Sequence, residues 1–115
     1  MAVRELPHEQ QRQACINHCT RCHAVCLRTA AHCLRAGCGA EMIATLQVCA
    51  DLCRASADTL LRASTLQRIV CRACAEVCAK CAAACEALVN DAQLKECTAV
   101  CLSCFDACAA IASAV

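Results

Sequence analysis

Apolar positions recur along this chain at alternating steps of three and four residues, in four separate stretches. From Cys71 the sequence reads C-R-A-C-A-E-V-C-A-K-C-A-A-A-C, so that Cys71, Cys74, Cys78, Cys81 and Cys85 follow one another at steps of three, four, three and four. Side chains spaced in this way stack on one face of an α-helix. The intervening Ala73, Glu76, Ala79, Lys80, Ala82, Ala83 and Ala84 are mostly good helix formers. This helix is therefore expected to bury a stripe of sulfur where leucine is usual.

The same period organises the rest of the chain. Pro7 suits a first helical position and Glu9 the first turn, and the pattern then runs to about Ala36 with Cys15, Cys19, Cys22, Cys26, Thr29 and Cys33 on one face. Gly37 and Gly39, on either side of Cys38, predict a helix end and a tight connection. A second helix carries Met42, Leu46, Cys49, Cys53, Ser56 and Leu60. Ser64 or Thr65 is the expected N-cap of the third helix. Asn90 suits a left-handed cap, and Asp91 the N-cap of a fourth helix whose stripe is Leu94, Cys97, Cys101, Cys104, Cys108 and Ile111. One domain over residues 1–115 is expected, with helices at about 7–36, 40–63, 66–88 and 92–112. Connections of only about two to five residues favour antiparallel neighbours. The predicted fold is all-α, an antiparallel up-down-up-down four-helix bundle with a cysteine-lined core. C-x3-C-x2-C-x3-C occurs in the first and fourth stretches and, extended, in the third, which reads as a repeated core pattern.

Composition turns the stripe into a question of chemistry. The 115 residues include 17 cysteines, one Phe and no Trp or Tyr. A core of Cys and Ala buries little apolar area per residue, which argues against thiols as mere filler. Disulfides fit poorly, because 17 is odd and the Cβ vectors of a helical i,i+4 pair run parallel. The stretch from Met1 to Gln13 is polar and has no apolar leader core, so a cytoplasmic location with reduced thiols is expected. A net charge of +1, with no basic block and no stacking aromatics, speaks against nucleic acid as a partner. Charged residues cut every apolar run short of the ~18 needed to span a membrane. No catalytic triad, carboxylate pair or phosphate loop is present, and no enzymatic activity is expected.

Metal binding remains, and charge selects the metal. Thiolate is the ligand form, yet many uncompensated thiolates in one dry core repel each other strongly. A divalent ion held by four thiolates leaves two excess negative charges, whereas one monovalent ion per thiolate leaves the core near neutral. Cu(I) is soft, monovalent and thiophilic, and its low coordination numbers suit sulfurs one helical turn apart. Zinc usually takes C-x2-C pairs within turns. Here the pairs Cys19/Cys22, Cys71/Cys74, Cys78/Cys81 and Cys101/Cys104 are all embedded in helix-forming sequence, and the ferredoxin spacings are absent. A zinc-buffering or redox thiol protein and a metal-independent helical scaffold stand as alternatives. The candidate ligands are the seam cysteines named above together with Cys38. Met42 and His32 are candidate accessory ligands near Cys33, and His8 is one at the opposite end of the first helix. His18 and His23 flank the seam and read as surface residues.

On these residues the chain resembles the cytosolic copper storage proteins, four-helix bundles whose cysteine-lined interior binds many Cu(I) ions. The resemblance rests on the runs at Cys15–Cys26 and Cys97–Cys108, the longer run at Cys71–Cys85, the C-x3-C at Cys49/Cys53 and the lack of a signal peptide. It implies storage and detoxification of multiple Cu(I) ions in the cytoplasm. It also implies a homotetramer, with exchange of copper ions between this protein and copper-donating or copper-accepting proteins.

Overall fold

Each stripe lies on the inner face of a helix. In the computed structural model, which describes residues 2–88 and 90–114, the helices are α1 (His8–Ala36), α2 (Ala40–Leu61), α3 (Gln67–Glu86) and α4 (Ala92–Ala112), preceded by a 3₁₀ turn over Val3–Glu5. The helices pack α1 on α2, α2 on α3, α3 on α4 and α4 back on α1, while the diagonal pairs make no close backbone approach. This is the expected up-down-up-down bundle, 42 × 25 × 17 Å. Buried Ala50, Ala57, Ala75, Ala82 and Ala107 flank the stripes, and their small side chains let neighbouring backbones come close.

The helix ends follow local chemistry and correct three expectations. Pro7 is the N-cap of α1, not its first helical residue. Its own backbone stays extended (φ −55°, ψ 152°) while its carbonyl accepts the first helical bond from the Gln11 N–H at 2.9 Å. The N-cap of α3 is Leu66, with no side-chain cap, whereas Ser64 Oγ accepts from the Leu66 N–H and closes the turn before the helix begins. α2 and α3 each end two residues earlier than expected, at Leu61 and Glu86, because Ala63 turns left-handed (φ 52°) and Leu88 N–H closes a tight turn onto the Cys85 carbonyl. Gly37 (φ 75°) and Asn90 (φ 66°) adopt the left-handed conformation expected of them.

Asp91 caps α4 as predicted, its Oδ1 accepting from the Leu94 N–H at 3.1 Å. Its other oxygen, Oδ2, lies 2.7 Å from His32 Nε2, and the imidazole, then the helix N–H, hold the carboxyl below its usual range. Asp91→Ala removes the cap and the α1–α4 clasp together. A melting temperature about 4 °C lower is expected from the lost cap in a domain of this size. Thermal melts of the two proteins at neutral pH check this, and coincident curves would show that the cap contributes nothing.

Candidate metal centre

Sulfur fills the centre of the bundle. Every cysteine except Cys38 is buried, and none forms a disulfide. The sulfurs gather into five groups whose members all lie within 4.8 Å of one another. Beginning at the α1 N-terminal end, these are Cys15, Cys71 and Cys108; Cys19, Cys74, Cys104 and Cys108; Cys22, Cys53, Cys78 and Cys104; Cys22, Cys26, Cys49 and Cys101; and Cys26, Cys81, Cys97 and Cys101. Successive groups share members, so they form one column and not separate sites.

Helical periodicity and antiparallel packing together build this column. Along a helix, i,i+4 pairs such as Cys15–Cys19, Cys22–Cys26, Cys74–Cys78 and Cys97–Cys101 stand 3.9 Å apart. Between helices the separations are equally short: Cys15–Cys108 and Cys19–Cys108 at 3.6 Å, Cys22–Cys101 at 3.8 Å, and Cys53 at 3.8 Å from both Cys78 and Cys104. A tetrahedral zinc site with Zn–S of about 2.3 Å has sulfurs roughly 3.8 Å apart, so distance alone admits either metal.

Charge and connectivity separate the two. Among the described residues the only buried polar side chains are Thr29 and Ser56. No Lys, Arg or His is buried to offset a thiolate, so neutralisation has to come from the metal. Independent zinc tetrathiolates also require four sulfurs each. Cys22, Cys26, Cys101, Cys104 and Cys108 each belong to two groups, an arrangement suited to thiolates that bridge several monovalent ions.

Neighbouring thiols of the column are pushed in opposite directions, Cys15 at one end down and Cys71 beside it up. Burial, followed by the neighbouring Cys38, pushes the Cys33 thiol up to about 12. At Cys71 a hydrogen bond with Cys108 acts to lower the pKa, but hydrogen bonding with Cys15 and burial outweigh it and the thiol stands at about 12. Further inside, hydrogen bonding with Cys101, followed by that with Cys26, holds Cys97 below the ordinary thiol range. Cys26 is pushed above that range, chiefly by its hydrogen bond with Cys101. The pH dependence follows from the raised pair. An unfolded thiol loses its proton near pH ~8.5, while Cys33 and Cys71 keep theirs to about 12 in the fold. Between those values the unfolded chain binds fewer protons, so stability that is intact at neutral pH drains away as pH rises. Denaturant melts of metal-free, reduced protein from pH 7 to 11 are expected to show a falling midpoint, and a flat profile would contradict the assignment.

The remaining candidates fall at the two ends. Cys33, Cys38 and Cys85 lie outside the five groups. Cys38 is half-buried, its backbone N–H donating to the Cys33 carbonyl at 3.1 Å, and Cys85 is buried. Cys85 also lines a surface cleft of about 370 Å³ with Glu86, Leu88, Asn90, Lys95 and Thr98. Met42 is buried in the core at 7% exposure. His32 is engaged by Asp91. At the other end His8 lies on the surface in a cleft lined by Arg4, Gln11, Ala110, Ser113 and Ala114, with no sulfur among them. There Leu60 and Ile111 are fully buried, and the Arg12 guanidinium donates to the Leu60 carbonyl while pairing with Glu9. His18, half-buried, lines a cleft with Arg21 and Ser103. His23, half-buried, has its Nδ1 2.8 Å from the Ala50 carbonyl. The Arg12 clasp and the Gln93 side chain, which donates to Thr29 Oγ1 at 2.9 Å, gave no periodic signal in the sequence. The packing of Val3 against the bundle was foreshadowed only by Val3 and Leu6 flanking a polar pair.

The bundle has counterparts among solved structures. A protein from Nitrosospira multiformis shares 37% identity and superposes with a TM-score of 0.85 over 91% of this chain and 97% of its own. A cytosolic copper storage protein from Streptomyces lividans, loaded with five coppers, shares 32% identity with a TM-score of 0.83 over 91% and 97% of the two chains. The Cu(I)-bound copper storage protein BsCsp3 shares the fold, at 24% identity and a TM-score of 0.85 over 90% of this chain and 99% of its own. No curated protein sequence matches significantly. A family profile described as copper storage protein matches residues 8–113, nearly the whole bundle, and the chain belongs to that family.

Proposed function

We propose that this protein is a cytoplasmic Cu(I) store that holds many ions through thiolates along its core and so keeps free copper low. The observation that carries this reading is a continuous column of buried sulfurs with no buried cation beside it. Each Cu(I) that binds replaces a thiol proton, so the S–H bond gives way to a Cu–S bond and the proton leaves to solvent. Filling the column therefore keeps it near neutral at every stage, and emptying it requires protons or a competing thiol. The seam cysteines are the ligands in this reading. Cys38, half-exposed beside Cys33, and Met42 are the groups that pass copper inward at the Gly37–Gly39 end. The opposite end is closed by Leu60, Ile111 and Arg12. His32 is held by Asp91 and His8 lies away from sulfur, so neither is needed as a ligand.

Assembly into a homotetramer fits the outer faces. Leu34 at one end of the bundle and Leu61 and Ile69 at the other are 69%, 66% and 63% exposed, apolar positions that subunit contacts would cover. Among the described residues no helix is long and apolar enough to cross a membrane. Anaerobic titration of reduced, metal-free protein with Cu(I) against a chromogenic chelator, with the mass of the product measured alongside, decides the function. Uptake that stops at one or two equivalents would exclude storage and point to a carrier or sensor.

A further inference from the structure

Three of the five sulfur groups have no member from α2, and two of these lie together at the α1 N-terminal end of the column. Cys19, Cys74, Cys104 and Cys108, like the terminal triad of Cys15, Cys71 and Cys108, draw on α1, α3 and α4 alone. The stripe of α2 continues past Cys53 to Ser56. Cys53 lies 3.8 Å from Cys74 and from Cys104. One turn further along α2 corresponds, in its antiparallel neighbour α3, to the step from Cys74 back to Cys71, and in α4, which runs parallel to α2, to the step from Cys104 to Cys108. Register therefore puts Ser56 at the α2 corner of the sulfur-only end, where a fourth thiol would otherwise stand.

Ser56 is fully buried, and its Oγ has no hydrogen-bond partner. Leaving a buried hydroxyl unpaired is costly. The other hydroxyl on a seam, Thr29, is satisfied: it donates to the Val25 carbonyl at 2.7 Å and accepts from Gln93 at 2.9 Å. The two seam hydroxyls thus differ in kind. By that register the neighbours of Ser56 are thiols, which are weak acceptors while they keep their protons. Once a thiol has lost its proton to a bound metal, its sulfur becomes a charged acceptor, and hydrogen bonds to charged acceptors are about twice as strong as neutral ones.

We propose that Ser56 supports the metal-bound thiolates at the Cys15–Cys71–Cys108 end of the column, its O–H donating to sulfur in the loaded state and unpartnered in the empty one. A contact made in only one state favours that state, so Ser56 tightens copper at this end at the expense of the empty fold. This inference rests on the Cu(I)-storage reading above. Its signature is weaker copper retention with no loss of stability in the empty fold, which a purely structural serine does not give.

The test uses full-length reduced protein, unsubstituted and as Ser56→Ala and Ser56→Cys, titrated anaerobically with Cu(I) and then competed with a chromogenic chelator. Ser56→Ala is expected to bind as many ions as the parent but to surrender part of them at roughly tenfold lower chelator activity, the effect of one lost hydrogen bond to a charged group. Metal-free Ser56→Ala should melt at the same temperature as the parent or higher, because an orphaned hydroxyl has gone. Ser56→Cys completes the corner with sulfur and should raise capacity by about one ion, at one thiolate per Cu(I). Chelator curves for Ser56→Ala that superimpose on the parent overturn the proposal, as does a Ser56→Cys capacity no greater than the parent's. If the unsubstituted protein holds only one or two ions, the storage reading itself falls, and the role of Ser56 falls with it.

Discussion

Reduced protein offered Cu(I) without oxygen is expected to bind on the order of one ion per thiol, near the 17 that the chain carries, before a chromogenic chelator begins to compete. The number follows from electrostatics more than from geometry. The sulfurs stand 3.6–4.0 Å apart along and across the helices, close enough that unneutralised thiolates would repel strongly in a site screened from water. No buried Lys, Arg or His is present to offset them. One monovalent ion per thiolate cancels the charge as it develops, and the sharing of Cys22, Cys26, Cys101, Cys104 and Cys108 between groups lets single sulfurs bridge ions. Zinc filling the same column reaches neutrality at one ion per two thiolates, about half the count, and its closed tetrathiolates cannot all form from overlapping groups. Competition between Cu(I) and Zn(II) in one tube therefore separates the readings twice, by the metal retained and by its number. Saturation near half the thiol count with zinc held in preference would overturn the copper assignment.

The stripes were fully legible because each is a single rule applied over four to five helical turns. Alternating steps of three and four at Cys15 to Cys33 and at Cys97 to Cys108 permit one inward face, and the structure buries that face. Gly37, Asn90 and Asp91 were legible for a similar reason, since backbone sign and cap chemistry are local. What escaped depends on partners distant in sequence. His32 is spaced as an accessory ligand, but the Asp91 that holds it lies 59 residues on. Arg12 reads as an exposed basic residue of the first turns, yet its guanidinium reaches the carbonyl of Leu60, 48 residues away. Ser56 was visible on the α2 stripe. The absence of a partner for its hydroxyl was not, because a missing hydrogen bond has no sequence signature. Cys38 illustrates the middle case: its flanking glycines fixed the turn, while its proximity to Cys33 came from the fold.

Copper loading should raise the melting temperature by tens of degrees, from the ordinary mesophile range of about 45–65 °C to above about 90 °C. The empty bundle is expected to fold. It already exposes only 6285 Å², close to the roughly 6,000 Å² of a compact monomer of 12.1 kDa, and its ends are closed by the fully buried Leu46, Leu60 and Ile111 together with Leu94. Its middle is soft, because a thiol fills less space than a leucine and brings fewer dispersion contacts. Metal changes that middle most. The group of Cys22, Cys53, Cys78 and Cys104 takes one sulfur from each of the four helices, so ions bound there tie the whole bundle together, including the diagonal α2–α4 pair that otherwise makes no close backbone approach. Each site occupied a thousandfold above its dissociation constant adds about 4 kcal/mol to the folded state, and several such sites exceed the entire stability of a typical domain. Leu46→Ala separates the two contributions. In metal-free protein it should cost about 2–5 kcal/mol by leaving a cavity at the Met42 end, enough to leave the empty variant largely unfolded by circular dichroism. Cu(I) should restore its helicity and bring its melting temperature close to that of the loaded parent, since the ligands are untouched. Random-coil spectra for the metal-free parent, or a melting temperature that copper does not move, would show that sulfur and aliphatic core do not divide the work in this way.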